Sequence, residues 1–80
     1  MYSDYHVTAD SFGSMCPQNW EEIARFLNRL IDETLEQMGE EAFAPGYDDT
    51  GLSMEGHEAL DDIWERYCAG EIDGAPEAIM

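Results

Sequence analysis

Apolar positions recur at three- and four-residue steps along two stretches of the chain, and at two-residue steps along a third. From Trp20 to Met38 the recurring set is Trp20, Ile23, Ala24, Leu27, Leu30, Ile31, Thr34, Leu35 and Met38. That spacing is the stripe of a helix with one face against a core. Asn19 and Glu22 fit the N-cap and N3 positions of a capping box, and Gly39 fits a C′ stop. A second helix is predicted between Ser53 as N-cap and Gly70 as stop, with Leu60, Ile63, Trp64, Tyr67 and Cys68 facing inward. Gly56 should weaken its first turn by about 1 kcal/mol relative to Ala.

The two-residue pattern lies in "YSDYHVTADSF", residues 2–12. Tyr5, Val7 and Ala9 fall on one face and Asp4, His6, Thr8 and Asp10 on the other, which predicts a strand with one wet side. "GSMCPQ" breaks that pattern before the first helix. "EEAFAPGYDDTG" reads as a connection in which Phe43 and Tyr47 pin the loop to the core, and the tail "EIDGAPEAIM" either as holding a second short strand near Ile72 or as lying along the surface. The expected fold is therefore α+β: one small domain over residues 1–80, two main helices packed with a short N-terminal strand. No repeat, linker or second domain is visible.

Composition changes this picture in one respect. Nineteen Asp and Glu stand against three Arg and no Lys, a net charge of −16, or one uncompensated negative charge for every five residues. Ordinary small domains carry a net charge of magnitude about 2–8. With 44% apolar residues the chain still has the material for a core, so the acidity is laid over a folding sequence. Such a field repels nucleic acid and anionic membrane and attracts basic surfaces. Halophilic adaptation is the other source of an acid-rich, Lys-poor surface. No stretch approaches the length of an apolar membrane span, and residues 1–15 lack the pattern of a secretory signal, so a soluble, cytoplasmic protein is expected.

Candidate chemistry adds little. Cys16 and Cys68 are the only cysteines and form no CxxC, so buried free thiols are expected, with neither zinc nor a disulfide framework. His6 on the polar face of the predicted strand and His57 in the first turn of the second helix have no spacing that requires them to meet a cysteine. "YDDTGLSME" lacks the alternating ligands of an EF-hand. Paired carboxylates do acid–base work only where their environments separate their pKa values across a cleft, which a solvated face does not supply. No enzyme, cofactor or metal is expected.

What remains is the placement of the acids. "LIDETLEQMGEE" closes the first helix with Asp32, Glu33, Glu36, Glu40 and Glu41 where a helix end favours cations. Each like-charged (i, i+4) pair there costs roughly 0.2–0.5 kcal/mol. Arg25 can be matched by Glu21 or Glu22, Arg29 by Asp32 or Glu33, and Arg66 by Asp62. The predicted partner-binding set is Asp32, Glu33, Glu36, Glu40, Glu41, Asp48, Asp49, Glu58, Asp61, Asp62 and Glu65. Carboxylates about 5–6 Å apart on two helices approximate the charge density of a duplex strand, with its phosphate every 3.4 Å of axis.

In size, charge and the acidic runs "DETLEQMGEE", "YDD" and "EALDDIWE", the chain resembles the small acidic DNA-mimic proteins of phages and mobile elements, the anti-CRISPR proteins among them. The resemblance is one of character and matches no motif. It implies an inhibitor that occupies the DNA-recognising surface of a host nuclease or CRISPR effector, acts in the host cytoplasm and binds no nucleic acid itself. The alternative is an antitoxin or adaptor that covers a basic partner through exposed aromatics such as Tyr2, Phe12, Phe43 or Tyr47 as well as charge.

Overall fold

Helix α1, Trp20–Met38, is the axis against which the other elements pack. The computed structural model describes residues 5–46 and 49–80. In chain order these form a 3-10 helix at Ala9–Met15, α1, a second 3-10 helix at Gly39–Ala42, and helix α2 at Met54–Ala69. Ile23, Ala24, Leu27, Ile31 and Leu35 of α1 are buried, with Trp20, Leu30 and Met38 half-buried beside them, as the three- and four-residue steps require. The Gly39 N–H closes the helix onto the carbonyls of Leu35 and Glu36.

The connection to α2 is a short reversal held by backbone. Ser53 N–H donates to Ala42 O at 2.9 Å and Ala44 N–H to Gly51 O at 3.0 Å, around an antiparallel Phe43–Leu52 bridge. Leu52 supplies the buried anchor, whereas the Phe43 side chain is exposed, contrary to its expected role. Tyr47 lies outside the described residues. Ser53 caps α2 as predicted: its Oγ accepts from Gly56 N–H at 3.1 Å and donates to Glu41 O. On α2, Ile63 is buried and Leu60, Trp64 and Tyr67 are half-buried; Phe12 of the first 3-10 helix meets Trp64 edge-on at 5.7 Å.

The expected α+β class is overturned: among the described residues there is no sheet, and the fold is helical. Val7 is buried, but the segment is a turn and a bend at Tyr5 and His6, the His6 side chain of the predicted wet face is only 7% exposed, and no strand lies beside Val7. Instead Asn28, on the buried face of α1, satisfies its backbone: Val7 N–H donates to Asn28 Oδ1 at 2.6 Å and Asn28 Nδ2 donates to Val7 O at 3.1 Å. The chain then turns at Thr8, whose N–H donates to Ser11 Oγ at 3.1 Å, into the first 3-10 helix. Part of the predicted strand, residues 2–4, lies outside the described residues. The second predicted strand is also absent. Ile72 sits in a turn, half-buried against the core.

The last residues are nevertheless attached. Gln18 N–H donates to Ile79 O at 2.7 Å, Asn19 Nδ2 donates to Glu77 O at 2.8 Å, and Ile79 N–H donates to Asn19 Oδ1 at 2.9 Å. Asn19 does occupy the N-cap position of α1, but its side chain makes no bond to the helix N–H groups. Tyr67 completes the attachment by donating its hydroxyl to Pro76 O at 2.8 Å. Both cysteines are exposed, not buried; Cys68 falls outside the inward stripe of α2.

Two stability tests follow from this packing. A Cβ on Gly56 would stand 2.5 Å from Ala42 O, inside contact distance. Helix propensity alone predicts that Gly56→Ala stabilises by about 1 kcal/mol. The close approach predicts a loss of about 1–3 kcal/mol instead. Urea denaturation decides between the signs, and a gain would mean that the first turn of α2 does not rest on Ala42. The second test is alkaline. Burial, with smaller contributions from Cys68 and Glu77, holds the Tyr67 phenol above its ordinary value. A raised phenol favours the neutral, donating form in the fold, so its contribution is complete below about pH 10 and is lost as pH rises further. The stability advantage of wild type over Tyr67→Phe should therefore vanish in that window, and an advantage that persists would exclude the Pro76 bond.

Candidate acidic interface

The apolar stripes fix where the acids go. With Ile23, Leu27, Ile31 and Leu35 turned inward, the intervening positions of α1 point to solvent, and the same holds around Ile63 on α2. Asp32, Glu33, Glu36, Glu40, Glu41, Asp49, Glu58, Asp61, Asp62 and Glu65 are all exposed. Asp48 lies outside the described residues. The structure groups the exposed set into two rows. One runs off the end of α1 through Asp32, Glu33 and Glu36 into Glu40 and Glu41 of the second 3-10 helix. The other follows α2 through Glu58, Asp61, Asp62 and Glu65 at three- and four-residue steps, which sets neighbours about 5–6 Å apart.

The second 3-10 helix, which carries Glu40 and Glu41, packs on the first turn of α2, where Gly56 lies against Ala42 O. Glu55, exposed in that turn, belongs with them although the predicted set omits it. Its signal was available in sequence: an acid two residues after the N-cap Ser53 and three before Glu58. This junction also bears on the acids at the end of α1, whose last turn holds no base. The N-terminus of α2 carries a partial positive charge and is bonded to the segment of Glu41 and Ala42. It offsets part of the cost of placing carboxylates there.

Three of the predicted acids are engaged. Asp32 Oδ1 lies 2.7 Å from His6 Nε2, Glu33 3.3 Å from Arg29 Nε, and Asp62 3.0 Å from Arg66 Nε. The last two were anticipated by their spacing, while the first joins residues 26 apart in sequence and was not. The His6 side chain is only 7% exposed and stacks at 4.6 Å on Tyr5. Arg25 forms no ion pair with a described residue, contrary to expectation. Glu36, Glu40, Glu41, Asp49, Glu58, Asp61 and Glu65 likewise form none with a described residue. Exposed pairs of the Arg29–Glu33 kind contribute roughly 0–1 kcal/mol, so they do little to neutralise the surface.

Other chemistry does not converge. His57 Nε2 lies 3.3 Å from Thr50 Oγ1, and among the described residues no cluster of His, Cys, Asp or Glu is arranged to hold a metal. A concavity of about 630 Å³ lies between the end of α2 and the tail, and one of about 360 Å³ is bounded by Val7, Trp20, Ala24 and Arg25. Neither is lined by any predicted partner-binding residue. Among the described residues no helix is long and apolar enough to cross a membrane.

With ion pairs few, and seven of the exposed acids forming none with a described residue, screening should favour the fold. The melting temperature is expected to rise between about 20 mM and 500 mM NaCl, as the Debye length falls from about 20 Å to about 4 Å. A fall would show that attraction within the fold outweighs its self-repulsion. No protein-family model matches the chain, and neither a curated protein nor a solved structure is significantly similar to it.

Proposed function

We propose that the protein is a non-enzymatic inhibitor whose acidic surface occupies the DNA-binding groove of a host defence protein, in the manner of anti-CRISPR DNA mimics. The observation that supports this most is the row on α2. Glu58, Asp61 and Glu65 are exposed, share one helix face and form no ion pair with a described residue. Nothing in the packing of α2 uses them; its inward contacts come from Leu60, Ile63, Trp64 and Tyr67. A groove that strips counterions from DNA would release them equally from this surface, giving strong and salt-sensitive binding. The partner is thus a basic protein surface, a nuclease or a CRISPR effector subunit, and the setting is the host cytoplasm.

An adaptor or antitoxin remains the second reading, and a particular observation favours it. Phe43 is 44% and Met54 58% exposed, both beside the junction where Glu40, Glu41 and Glu55 gather. Apolar side chains ringed by charge are the ordinary anatomy of a protein interface. Phe12 no longer serves this reading, being packed against Trp64, and Tyr2 lies outside the described residues.

The two readings separate on one set of variants. Pure protein should give no gel shift with duplex DNA or RNA, and should compete with DNA for a purified CRISPR effector or DNA-binding nuclease, less effectively as salt rises. Reversal to Lys of Glu36, Glu40 and Glu41, or of Glu58, Asp61 and Glu65, should weaken that competition by at least about tenfold without lowering the melting temperature. These positions avoid the engaged Asp32, Glu33 and Asp62. Undiminished competition by both triple variants, with binding lost in Phe43→Ala, would replace the mimic with the adaptor.

A further inference from the structure

We propose that the tail, residues 75–80, is a detachable strap, and that the Asn19 side chain has two alternative tasks: clamping the strap when it is down and capping α1 when it is released. The geometry of Asn19 carries this. It stands where a helix N-cap stands, yet its backbone at φ −100°, ψ 32° is not the extended conformation of a capping residue, and its Oδ1 accepts from Ile79 N–H. An N-cap side chain accepts from the N–H of N2 or N3, here Glu21 or Glu22. One oxygen in one rotamer cannot serve both the tail and the helix.

The strap itself is built to come away as a unit. Beyond Ile72, which is half-buried against the core, it is fastened at Gln18, Asn19 and Tyr67 by hydrogen bonds, and its last residues bury little: Ile79 is 55% and Met80 66% exposed. Gly70, in the left-handed conformation, and Gly74, at φ 79°, bracket the turn through which it would swing. Release breaks the clamp but allows Asn19 to become extended and take up the Glu21 N–H; that of Glu22 already donates to Asn19 O at 3.1 Å. The loss on opening is thereby partly recovered at the other end of the same side chain. Local openings of this kind lie well below the free energy of global unfolding.

Amide hydrogen exchange on the full chain, read by NMR, tests the proposal. In wild type the Gln18 and Ile79 N–H groups should exchange together, at least about tenfold faster than those of Leu27 and Leu35. Asn19→Ser can cap but is too short to clamp; it should lose protection at Gln18 and Ile79, gain it at Glu21, and melt near wild type. Asn19→Ala can do neither; it should lose protection at Gln18 and Ile79, gain none at Glu21, and melt lower. Protection of Gln18 and Ile79 equal to that of the core would overturn the strap. Equal Glu21 protection in the Ser and Ala variants would overturn the exchange of tasks.

Discussion

The amide of Asn28 does the work that a neighbouring strand does in a sheet. It presents one acceptor and one donor to the backbone of Val7, at 2.6 Å and 3.1 Å, from a position 5% exposed inside the core. A buried peptide group left without partners costs about 1–3 kcal/mol, so the segment enters the core only because this side chain meets it. Everything N-terminal to α1 depends on that contact: Val7 seals the core, the chain turns at Thr8, and Phe12 reaches Trp64. Asn19, nine residues earlier on the same helix, treats the other end of the chain in the same way. The chain's two asparagines thus tie Val7 and the tail to α1, and among the described residues a small helical fold holds two non-helical segments without a sheet.

The two helices were legible in sequence because amphipathic periodicity and end signals are local. Ser53, Gly39 and Gly70 ended their helices as their chemistry predicted, and the buried residues of α1 are the predicted stripe. The α+β class failed because alternation reports only that a segment lies on a half-buried surface; it does not say what pairs with it. The missing signal was Asn28 itself, a polar residue four after Ala24 and three before Ile31, in the middle of an apolar stripe. Asn19 misled for a related reason: a side chain that can cap can also clamp, and tertiary contact chose the second. Exposure of the acids was legible from the stripes that exclude them, whereas the His6–Asp32 pair depends on how distant segments meet.

Stability and surface charge are separated in this fold. The buried residues of α1, α2 and the Leu52 turn hold it together, and the acids stand on the faces that packing leaves over. At the end of α1 the N-terminus of α2 relieves part of the misplaced charge, so that cluster alone does not demand an outside explanation. On α2, Arg66 holds Asp62, but Glu58, Asp61 and Glu65 form no ion pair with a described residue. Like charges there at three- and four-residue steps each cost roughly 0.2–0.5 kcal/mol, and a chain of this size has little stability to give away.

A cost that folding does not require must be repaid by solvent or by a partner, and the distribution of the arginines bears on which. The outer face of α1 mixes Arg25 and Arg29 among its acids, while α2 carries a single base, Arg66, near its end and already paired with Asp62. Adaptation to a saline solvent acts on every exposed face alike and gives no reason for the two helices to differ. Contact with a basic groove acts on one face, and favours removal of bases from that face alone. Under the proposed function, the partner would meet α2 and the junction with Glu40 and Glu41, where the only base of the helix, Arg66, is held by Asp62.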